Sequence, residues 1–594
     1  MLLRVGFMRL FTLSIVVVLA GCASSAQKVA DSAPVVTDTG SVQAYVAEGD
    51  VLQWYDIPFA KPPVGDLRWR APEPLHAKTQ LISRQAEPAI CPQRAGSVSG
   101  VEGDAAIGAE DCLYLDVTAP ASGTDPLPVM VWIHGGGNTT GHKNTYDFSR
   151  FVAEQKVIVV TINYRLGPLG WFIHPALGDG PGTIANFGTL DIIAALGWVK
   201  RNIDAFGGDA DNVTIFGESA GGHNVFTLLA SPLSEGLFHK AISQSGYVRS
   251  LSPRQAHNRE REFAEIDRGS WEFTEALGLS NDTVTADSLR GISAADIITT
   301  FYDLSSDHSS PGIINDGVVI PTEGFAAALG NPRYAKPSVP VMAGVNNEEV
   351  TLWIGLNRYF VDASYPLTKW LPPKVTVKNP DIYKFWVRQR SEGWKAQGVD
   401  RPLMSLEAAG YESLYAYRYD WNDQKDSFLI DFSEVLGAAH ASEISFIQGK
   451  AMYGPIGSYM YPDTDSARDM TDIMMTAWAN FARTGAPGEV KGDAWAPFSA
   501  MAPHYMVLDS LGQHRLEANV ASIDEILNKV ADSALLNSQE RCILAWELST
   551  ALGDPSYGTY RRWNGGECAA TDVRALRRTI REVLEDEFGS ASVL

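Results

Sequence analysis

Two short apolar segments stand out from the polar background of the chain. They are residues 129–133 (VMVWI) and 157–164 (VIVVTINY), and neither alternates apolar with polar residues. Glycine, proline or asparagine bounds each of them. Unbroken short apolar segments between turn residues are typical of strands buried on both faces. We therefore predict two central strands of a largely parallel sheet.

A helix and a third strand follow these two segments. In residues 189–206, apolar residues recur at helical spacing up to the glycines at 207 and 208. The β-rich NVTIF at 212–216 comes next, and then the apolar, helical GHNVFTLLA at 222–230. Strands alternating with helices predict an α/β fold with a large, mostly parallel, doubly wound sheet.

The sequence GESAGG at 217–222 lies at the predicted junction of that third strand with the helix. A serine nucleophile requires such a junction, because small neighbours permit a sharp turn that raises the side chain above the sheet. Ser219 is therefore the candidate nucleophile. The alternative is a glycine-rich turn that contains an incidental serine.

The rest of the chain divides by composition. We predict one domain over residues 43–512, with helical insertions at about 254–431 that surround the active-site entrance. Residues 513–594 are predicted to form a helical extension packed on this domain, because DVRALRRTIREVLEDEF (572–588) is helical and charged.

The N-terminus has the composition of an export signal. Basic residues precede a short apolar stretch, which ends in LAGC at residues 19–22. This ending resembles a bacterial lipoprotein box, so residues 1–21 are predicted to be a signal peptide and Cys22 to carry lipid. Ala23 follows as in outer-membrane lipoproteins, and residues 22–42 would form a flexible tether. A plain signal peptide cut elsewhere is the alternative.

Cysteine content and charge narrow the function. Five cysteines leave four for pairing if Cys22 is lipidated, and Cys91 with Cys112 would close one short loop. The sequence contains no C-x-x-C or H-E-x-x-H, so we expect no metal site and no cofactor. A net charge of −22 argues against nucleic acid as a partner.

Several long motifs give the chain a resemblance to type-B carboxylesterases, the family that includes the cholinesterases. They are IPFAKPPVGDLRWRAPEP (57–74), EDCLYLDV (110–117), HGGGN (134–138), NYRLGPLGWF (163–172), NFGTLD (186–191), AFGGDADNVTIFGESAGG (205–222) and AISQSG (241–246). The resemblance runs from about residue 45 to 508. It implies the α/β-hydrolase fold and hydrolysis of carboxylic esters.

The resemblance also assigns a catalytic triad in the chain order serine, acid, histidine. AGVNNEEVTLW (343–353) is similar to the segment that carries the acid, which implies Glu349, with Glu348 as the rival by one position. LGAAHASEISF (436–446) is similar to the segment that carries the histidine, which implies His440. An unperturbed histidine base predicts loss of kcat/KM below roughly pH 6.5.

Two other histidines lie near the motifs but receive different roles. His223 follows Ser219 on the predicted helix and should point away from it, which favours packing. His134 precedes the glycines of HGGGN and should hold that loop by hydrogen bonding.

The HGGGN motif resembles the loop whose backbone N–H groups face a developing oxyanion. Gly136, Gly137 and Ala220 would be the three donors. Glu218, beside the nucleophile, and Ser245, which resembles a family serine near the acid, would support the triad.

The resemblance implies further structural pairs. Cys542 resembles a late family cysteine whose usual partner is missing near residues 401–404, so Cys568 is predicted to replace that partner. Two scaffold ion pairs are also implied: Arg68 with Glu110, and Arg165 with Asp191.

Departures from the family limit the substrate. The loop between Cys91 and Cys112 contains no aromatic residue, whereas choline esterases carry there a tryptophan that binds the cation. Asn138 stands where many relatives have an aromatic residue, which predicts a roomier or more polar site.

We therefore predict a serine esterase that acts on small to medium esters, including aromatic ones, in the bacterial cell envelope. The protein would be anchored in the outer membrane through Cys22, facing the periplasm or the surface. A non-catalytic cholinesterase-like adhesion protein, or an amide or thioester hydrolase with the same triad, is the alternative. The sequence leaves the oligomeric state open.

Overall fold

A computed structural model describes residues 28–593 except 76–80, 97–98, 124, 179, 181, 264–265, 267–268, 305–311, 365–372 and 453. Its main feature is an eleven-stranded mixed sheet. The strands are β1 Ala44–Ala47, β2 Val51–Pro58, β3 Tyr114–Pro120, β4 Leu127–Ile133, β5 Ile158–Ile162, β6 Gly208–Glu218, β7 Lys240–Gln244, β8 Val341–Asn346, β9 Leu414–Tyr419, β10 His504–Leu508 and β11 Arg515–Ala518. Their order across the sheet is β11-β10-β9-β8-β7-β6-β4-β5-β3-β2-β1.

The seven strands in the middle of this sheet, from β10 to β5, run parallel. The pairs at its two ends are antiparallel. Along β4, Val129 and Val131 enter one apolar cluster, whereas Met130 and Trp132 enter the other. The central strands are thus buried on both faces, which explains their unbroken apolar sequences.

Helices cover both faces of the sheet. The longer ones are α1 Ser149–Gln155, α2 Phe187–Asn202, α3 Ala220–Ala230, α4 Ser270–Ala276, α5 Ala294–Asp303, α6 Pro380–Lys395, α7 Arg401–Ala408, α8 Asp465–Thr484, α9 Ile523–Ala531, α10 Ser538–Thr550 and α11 Val573–Phe588. Shorter ones are Gly167–Gly170, Pro253–His257, Ala286–Arg290, Phe325–Leu329, Thr351–Ile354, Phe432–Val435, Ile444–Gln448, Gly457–Met460 and Tyr557–Arg562.

Small strands lie outside the main sheet. Val35–Thr37, Gly40–Val42 and Leu81–Ile82 form one sheet, and four ribbons pair Gln93–Gly96 with Val101–Ile107, Ser250–Leu251 with Ile313–Ile314, Val361–Ser364 with Lys374–Val377, and Glu489–Val490 with Asp493–Ala494. The strands Val35–Thr37 and Gly40–Val42 lie within residues 22–42, which were expected to form a flexible tether. Thr39 is almost fully buried and accepts a hydrogen bond from Trp198 Nε1 (3.1 Å), so contacts with the domain hold this segment in place.

Two predicted regions of the chain, the helical insertions and the C-terminal extension, contribute strands to the main sheet. The region 254–431, expected to be helical insertions, also contains the central strands β8 and β9. The extension expected from residue 513 begins with β11, which pairs with β10. β11 is only four residues long, which is too short for its pattern to predict a strand.

Candidate active site

Ser219 lies at the turn between β6 and α3, with a φ of 58° and a ψ of −120°. This region of backbone space is costly for a residue with a side chain. A Cβ on Gly217 would lie 2.6 Å from the carbonyl oxygen of Ile133, and one on Gly221 would lie 2.0 Å from it. Glycines at both positions therefore allow the turn to pass close to β4 and hold Ser219 in its strained conformation.

Ser219 is partly exposed and lines a cavity of about 2240 Å³. Gly136, Gly137, Glu218 and His440 line the same cavity. The structure therefore brings the predicted nucleophile, base and two of the predicted oxyanion donors to one space.

His440 is held by a fully buried carboxylate on the β8 side of the site. Its Nδ1 donates to Oε2 of Glu349 at 2.5 Å. The other oxygen, Oε1, accepts from the Ser245 hydroxyl (2.5 Å) and from the backbone N–H of Asn346 (2.8 Å). Three donors thus fix the carboxylate, and the carboxylate fixes the tautomer and orientation of the imidazole.

The neighbouring Glu348 occupies a different environment. Its Oε2 accepts a hydrogen bond from the backbone N–H of Ala438 (2.9 Å). Burial raises the pKa of this carboxyl to about 7. Of the two adjacent glutamates, Glu349 is therefore the one that contacts the imidazole of His440.

The Nε2 atom of His440 faces Glu218, whose Oε1 lies 3.0 Å away. The alignment is poor, and within the described residues neither atom has a hydrogen-bond partner. Burial alone would lower the pKa of His440, but the charges of Glu218 and Glu349 outweigh it and raise that pKa well above its usual value. Burial also raises the pKa of the Glu218 carboxyl, although His440 opposes this.

A further carboxylate, Glu443, completes a buried acidic cluster with Glu218 and Glu349. It accepts hydrogen bonds from Gln244 Nε2 (3.0 Å) and Asn346 Nδ2 (2.7 Å). Burial, and then the charge of Glu218, raises its pKa to about 8. Glu443 is thus predominantly protonated at neutral pH, which limits the repulsion within the cluster.

Two tryptophans that sequence reasoning missed flank the imidazole. The ring centroids of Trp353 and Trp394 lie 5.0 and 4.8 Å from that of His440. Trp394 also donates from Nε1 to the carbonyl oxygen of Ser245 (3.1 Å). The only signal for Trp353 was its position four residues after Glu349, on the short helix Thr351–Ile354; Trp394 comes from α6 and gave none.

The glycine loop after β4 has a left-handed backbone, with φ of 99° at Gly136 and 63° at Gly137. A Cβ on Gly136 would lie 2.3 Å from the carbonyl oxygen of Thr140. Asn138 differs from the expectation of a more polar cavity. It is fully buried, its Oδ1 accepts from Asn224 Nδ2 (2.9 Å), and its Nδ2 has no hydrogen-bond partner among the described residues.

The two histidines near the motifs are engaged by backbone carbonyls. His134 Nδ1 lies 2.8 Å from the oxygen of Gly135, and burial lowers the His134 pKa to about 3. His223 Nδ1 lies 2.6 Å from the oxygen of Tyr247, and burial lowers its pKa to about 4. Both rings are therefore neutral and serve packing and hydrogen bonding, although His223 also lines the cavity.

The covalent and ionic pairs expected from the sequence are present. Two disulfides, Cys91–Cys112 and Cys542–Cys568, have Cα–Cα distances of 5.0 and 5.5 Å. The scaffold ion pairs are Arg68 with Glu110 (2.5 Å) and Arg165 with Asp191 (2.7 Å).

The C-terminal extension lines the cavity as well as packing on the domain, which the sequence did not predict. Trp546, Tyr557 and Val593 belong to its lining. The extension is attached by an ion pair between Glu547 and Arg390 on α6 (2.7 Å). Its residues therefore help to shape the space in front of Ser219.

In the part of the chain that the structure describes, no helix is both long and apolar enough to span a bilayer. The predicted signal peptide and the lipidation site Cys22 lie outside the described residues.

A serine on a strand-to-helix turn, with a histidine and a buried carboxylate beside it, is the arrangement of a serine hydrolase. Comparison with known proteins narrows this class. The model of the carboxylesterase family matches residues 31–365 and 401–523. The chain therefore belongs to the carboxylesterase family and is a carboxylesterase.

Individual relatives agree with this assignment. The chain is 33% identical to para-nitrobenzyl esterase of Bacillus subtilis (strain 168) over 490 residues, covering 80% of this chain and 94% of the relative. It is 34% identical to liver carboxylesterase 1 of Oryctolagus cuniculus over 514 residues, covering 77% and 86%.

Solved structures support the fold. A thermophilic PNB esterase aligns with a TM-score of 0.65 and 28% identity, over 84% of this chain and 99% of that one. A Geobacillus stearothermophilus carboxylesterase aligns with a TM-score of 0.64 and 27% identity, over 82% and 98%. The large mixed sheet with its surrounding helices is thus the α/β-hydrolase fold.

Proposed function

We propose that the protein hydrolyses carboxylic esters through an acyl-enzyme formed on Ser219, with His440 as base and Glu349 as the acid that orients it. The observation that carries this proposal is the 2.5 Å contact between His440 Nδ1 and the triply held carboxylate of Glu349. The opposite ring nitrogen, Nε2, lies 3.0 Å from Glu218 Oε1, and His440 and Ser219 line the same cavity.

In the first half-reaction, the Ser219 hydroxyl gives its proton to His440 Nε2 while Oγ bonds to the ester carbonyl carbon. Gly136, Gly137 and Ala220 donate their N–H groups to the resulting oxyanion. The protonated imidazole then gives its proton to the alcohol oxygen as the C–O bond breaks. Water repeats the sequence on the acyl-enzyme, which releases the acid and restores the serine.

The cavity has room for small to medium esters, including aromatic ones. Its volume exceeds that of typical ligand pockets, and Trp353 and Trp394 provide apolar surface next to the base. We place this activity in the bacterial cell envelope, with the chain exported and anchored in the outer membrane through lipid on Cys22. Palmitate labelling of the full chain in cells, lost in Cys22→Ala, tests the anchor.

The nucleophile is tested by labelling with a fluorophosphonate and by hydrolysis of 4-nitrophenyl acetate. The protein should react at Ser219 and turn over the ester, and Ser219→Ala should lose both properties. An unlabelled, inactive wild type would favour a non-catalytic binding protein. Faster turnover of amides or thioesters of the same acyl group would instead show that the enzyme prefers those substrates to esters.

The acid is tested by a pair of adjacent variants. Glu349→Gln should reduce kcat by about 10⁴-fold, because the amide cannot hold the required tautomer of His440. Glu348→Gln is the matched control, since it removes the neighbouring carboxylate, which bonds to the backbone of Ala438. Its kcat should stay within a few-fold of the wild type, and the reverse pattern would reassign the acid to Glu348.

A further inference from the structure

One cationic side chain on the cavity wall is not used by the protein itself. Arg249 lines the cavity that contains Ser219. Its Nε is buried without a hydrogen-bond partner, and no ion pair of its guanidinium occurs among the described residues. A buried N–H that leaves its hydrogen bond unmade is costly, and it is costlier on a charged group. The position is therefore suited to an anion that enters from the cavity.

A short chain of contacts connects the segment that carries Arg249 with the turn that carries Ser219. On α3, the backbone N–H of His223 donates to the carbonyl oxygen of Ser219 (2.9 Å). The ring of His223 lies over the ring of Tyr247, with centroids 4.3 Å apart. Its Nδ1 lies 2.6 Å from the backbone carbonyl oxygen of Tyr247. Arg249 is two residues further on, and its charge contributes to the lowered pKa of His223.

The backbone on the other side of Arg249 is fixed as well. Asp554 of the C-terminal extension accepts hydrogen bonds from the N–H (2.9 Å) and the hydroxyl (3.2 Å) of Ser250. The strand Ser250–Leu251 also pairs with Ile313–Ile314. These contacts fix the backbone next to Arg249, and Oδ1 of Asp554 is engaged by Ser250.

The chemistry of the Arg249 guanidinium suits a carboxylate ligand. A guanidinium offers a planar set of donors that matches a carboxylate, and it stays charged at all relevant pH values. His223 beside it is neutral, so this ring neither cancels the positive charge of Arg249 nor adds a second one. A chain with a net charge of −22 repels anions at long range, and a local cation is what would allow an anionic ester to bind.

We propose that Arg249 binds a free carboxylate on the substrate, so that the enzyme prefers esters that carry a second, unesterified acid group. This proposal rests on the esterase function proposed above and specifies its substrate class. The carboxylate is carried by either the acyl or the alcohol part of the ester, and two probes separate these sources.

The test compares kcat/KM for three chromogenic esters. 4-Nitrophenyl acetate is neutral, 4-nitrophenyl hydrogen glutarate carries the carboxylate on the acyl part, and 3-acetoxy-4-nitrobenzoate carries it on the alcohol part. Arg249→Met should reduce kcat/KM by about 10- to 100-fold for one of the anionic esters, and by less than about threefold for the neutral one. The ester that is affected identifies the source.

Controls separate this result from a structural effect. Arg254→Met removes a positive charge five residues away, where the side chain is exposed and paired with Glu262, and should leave the ratio of anionic to neutral kcat/KM unchanged. Arg249→Lys should restore part of the preference. Binding of free glutarate to Ser219→Ala, measured by calorimetry, should disappear when Arg249→Met is added.

The outcomes distinguish the two proposals. Equal losses for neutral and anionic esters, or no loss for either anionic ester, would overturn the role of Arg249 and leave the esterase intact. No turnover of any of the three esters by the wild type would instead contradict the proposed function.

Discussion

The pH dependence of catalysis follows from the carboxylate that faces the base. Glu218 Oε1 lies 3.0 Å from Nε2 of His440, and its charge helps to raise the pKa of the imidazole well above the usual value. Only the neutral imidazole accepts the serine proton, so kcat/KM rises with pH as His440 loses its proton. The acid limb of the profile should therefore lie above about pH 6.5, the value of an unperturbed histidine.

Replacing Glu218 with glutamine keeps the shape of the side chain and removes its charge. At 3.0 Å and an effective dielectric constant of about 20, two unit charges attract by about 5 kcal/mol. This is an upper limit of about four pH units, because burial raises the pKa of Glu218 and so opposes its charged form. Opposite charges at such distances usually shift a pKa by about one to three units, so the acid limb should move to lower pH by that amount.

The assay is kcat/KM for 4-nitrophenyl acetate between pH 5 and 9 at constant ionic strength. Glu154→Gln is the control, because Glu154 is exposed and paired with Arg150, and its acid limb should coincide with that of the wild type. An acid limb that stays in place or moves to higher pH in Glu218→Gln would refute this account of the base.

Two further predictions concern the glycine loop and the extension. Gly136→Ala should lower kcat by about 10²- to 10³-fold, because its Cβ would meet the Thr140 carbonyl at 2.3 Å and displace an oxyanion donor; Gly512→Ala, also at positive φ but in open space, should leave kcat unchanged in the same esterase assay. Cys542→Ser should lower the free energy of unfolding in urea by about 3 kcal/mol, since the bond to Cys568 closes a loop of 26 residues; an unchanged urea midpoint would contradict this.

Local parts of the site were predictable from the sequence because they depend on short motifs. The turn at Ser219 requires small residues next to it, and Gly217 and Gly221 stand where any Cβ would meet Ile133. The six residues of this motif are therefore enough to predict the turn. The disulfide between Cys542 and Cys568 followed from the family resemblance, because Cys542 resembles a family cysteine whose usual partner is missing, and the structure contains this bond.

Contacts between distant segments were not predictable. The family resemblance implied Glu349 as the acid but left Glu348 as a rival by one position, and the contact with His440 separates the two. The bond between Ser250 and Asp554 joins residues 304 positions apart, and no periodicity in either segment indicates it. The orphaned Nε of Arg249 is equally invisible, because an unmade hydrogen bond leaves no pattern in a sequence.

The C-terminal extension adds side chains to the wall of the cavity that also contains Ser219 and His440. The family match ends at residue 523, whereas Trp546, Tyr557 and Val593 beyond it face the same space as Ser219. The predicted triad therefore lies in the part of the chain that the family model matches, whereas part of the cavity wall comes from residues beyond it. We expect a library confined to residues 538–593 to change substrate selectivity while the predicted triad stays untouched.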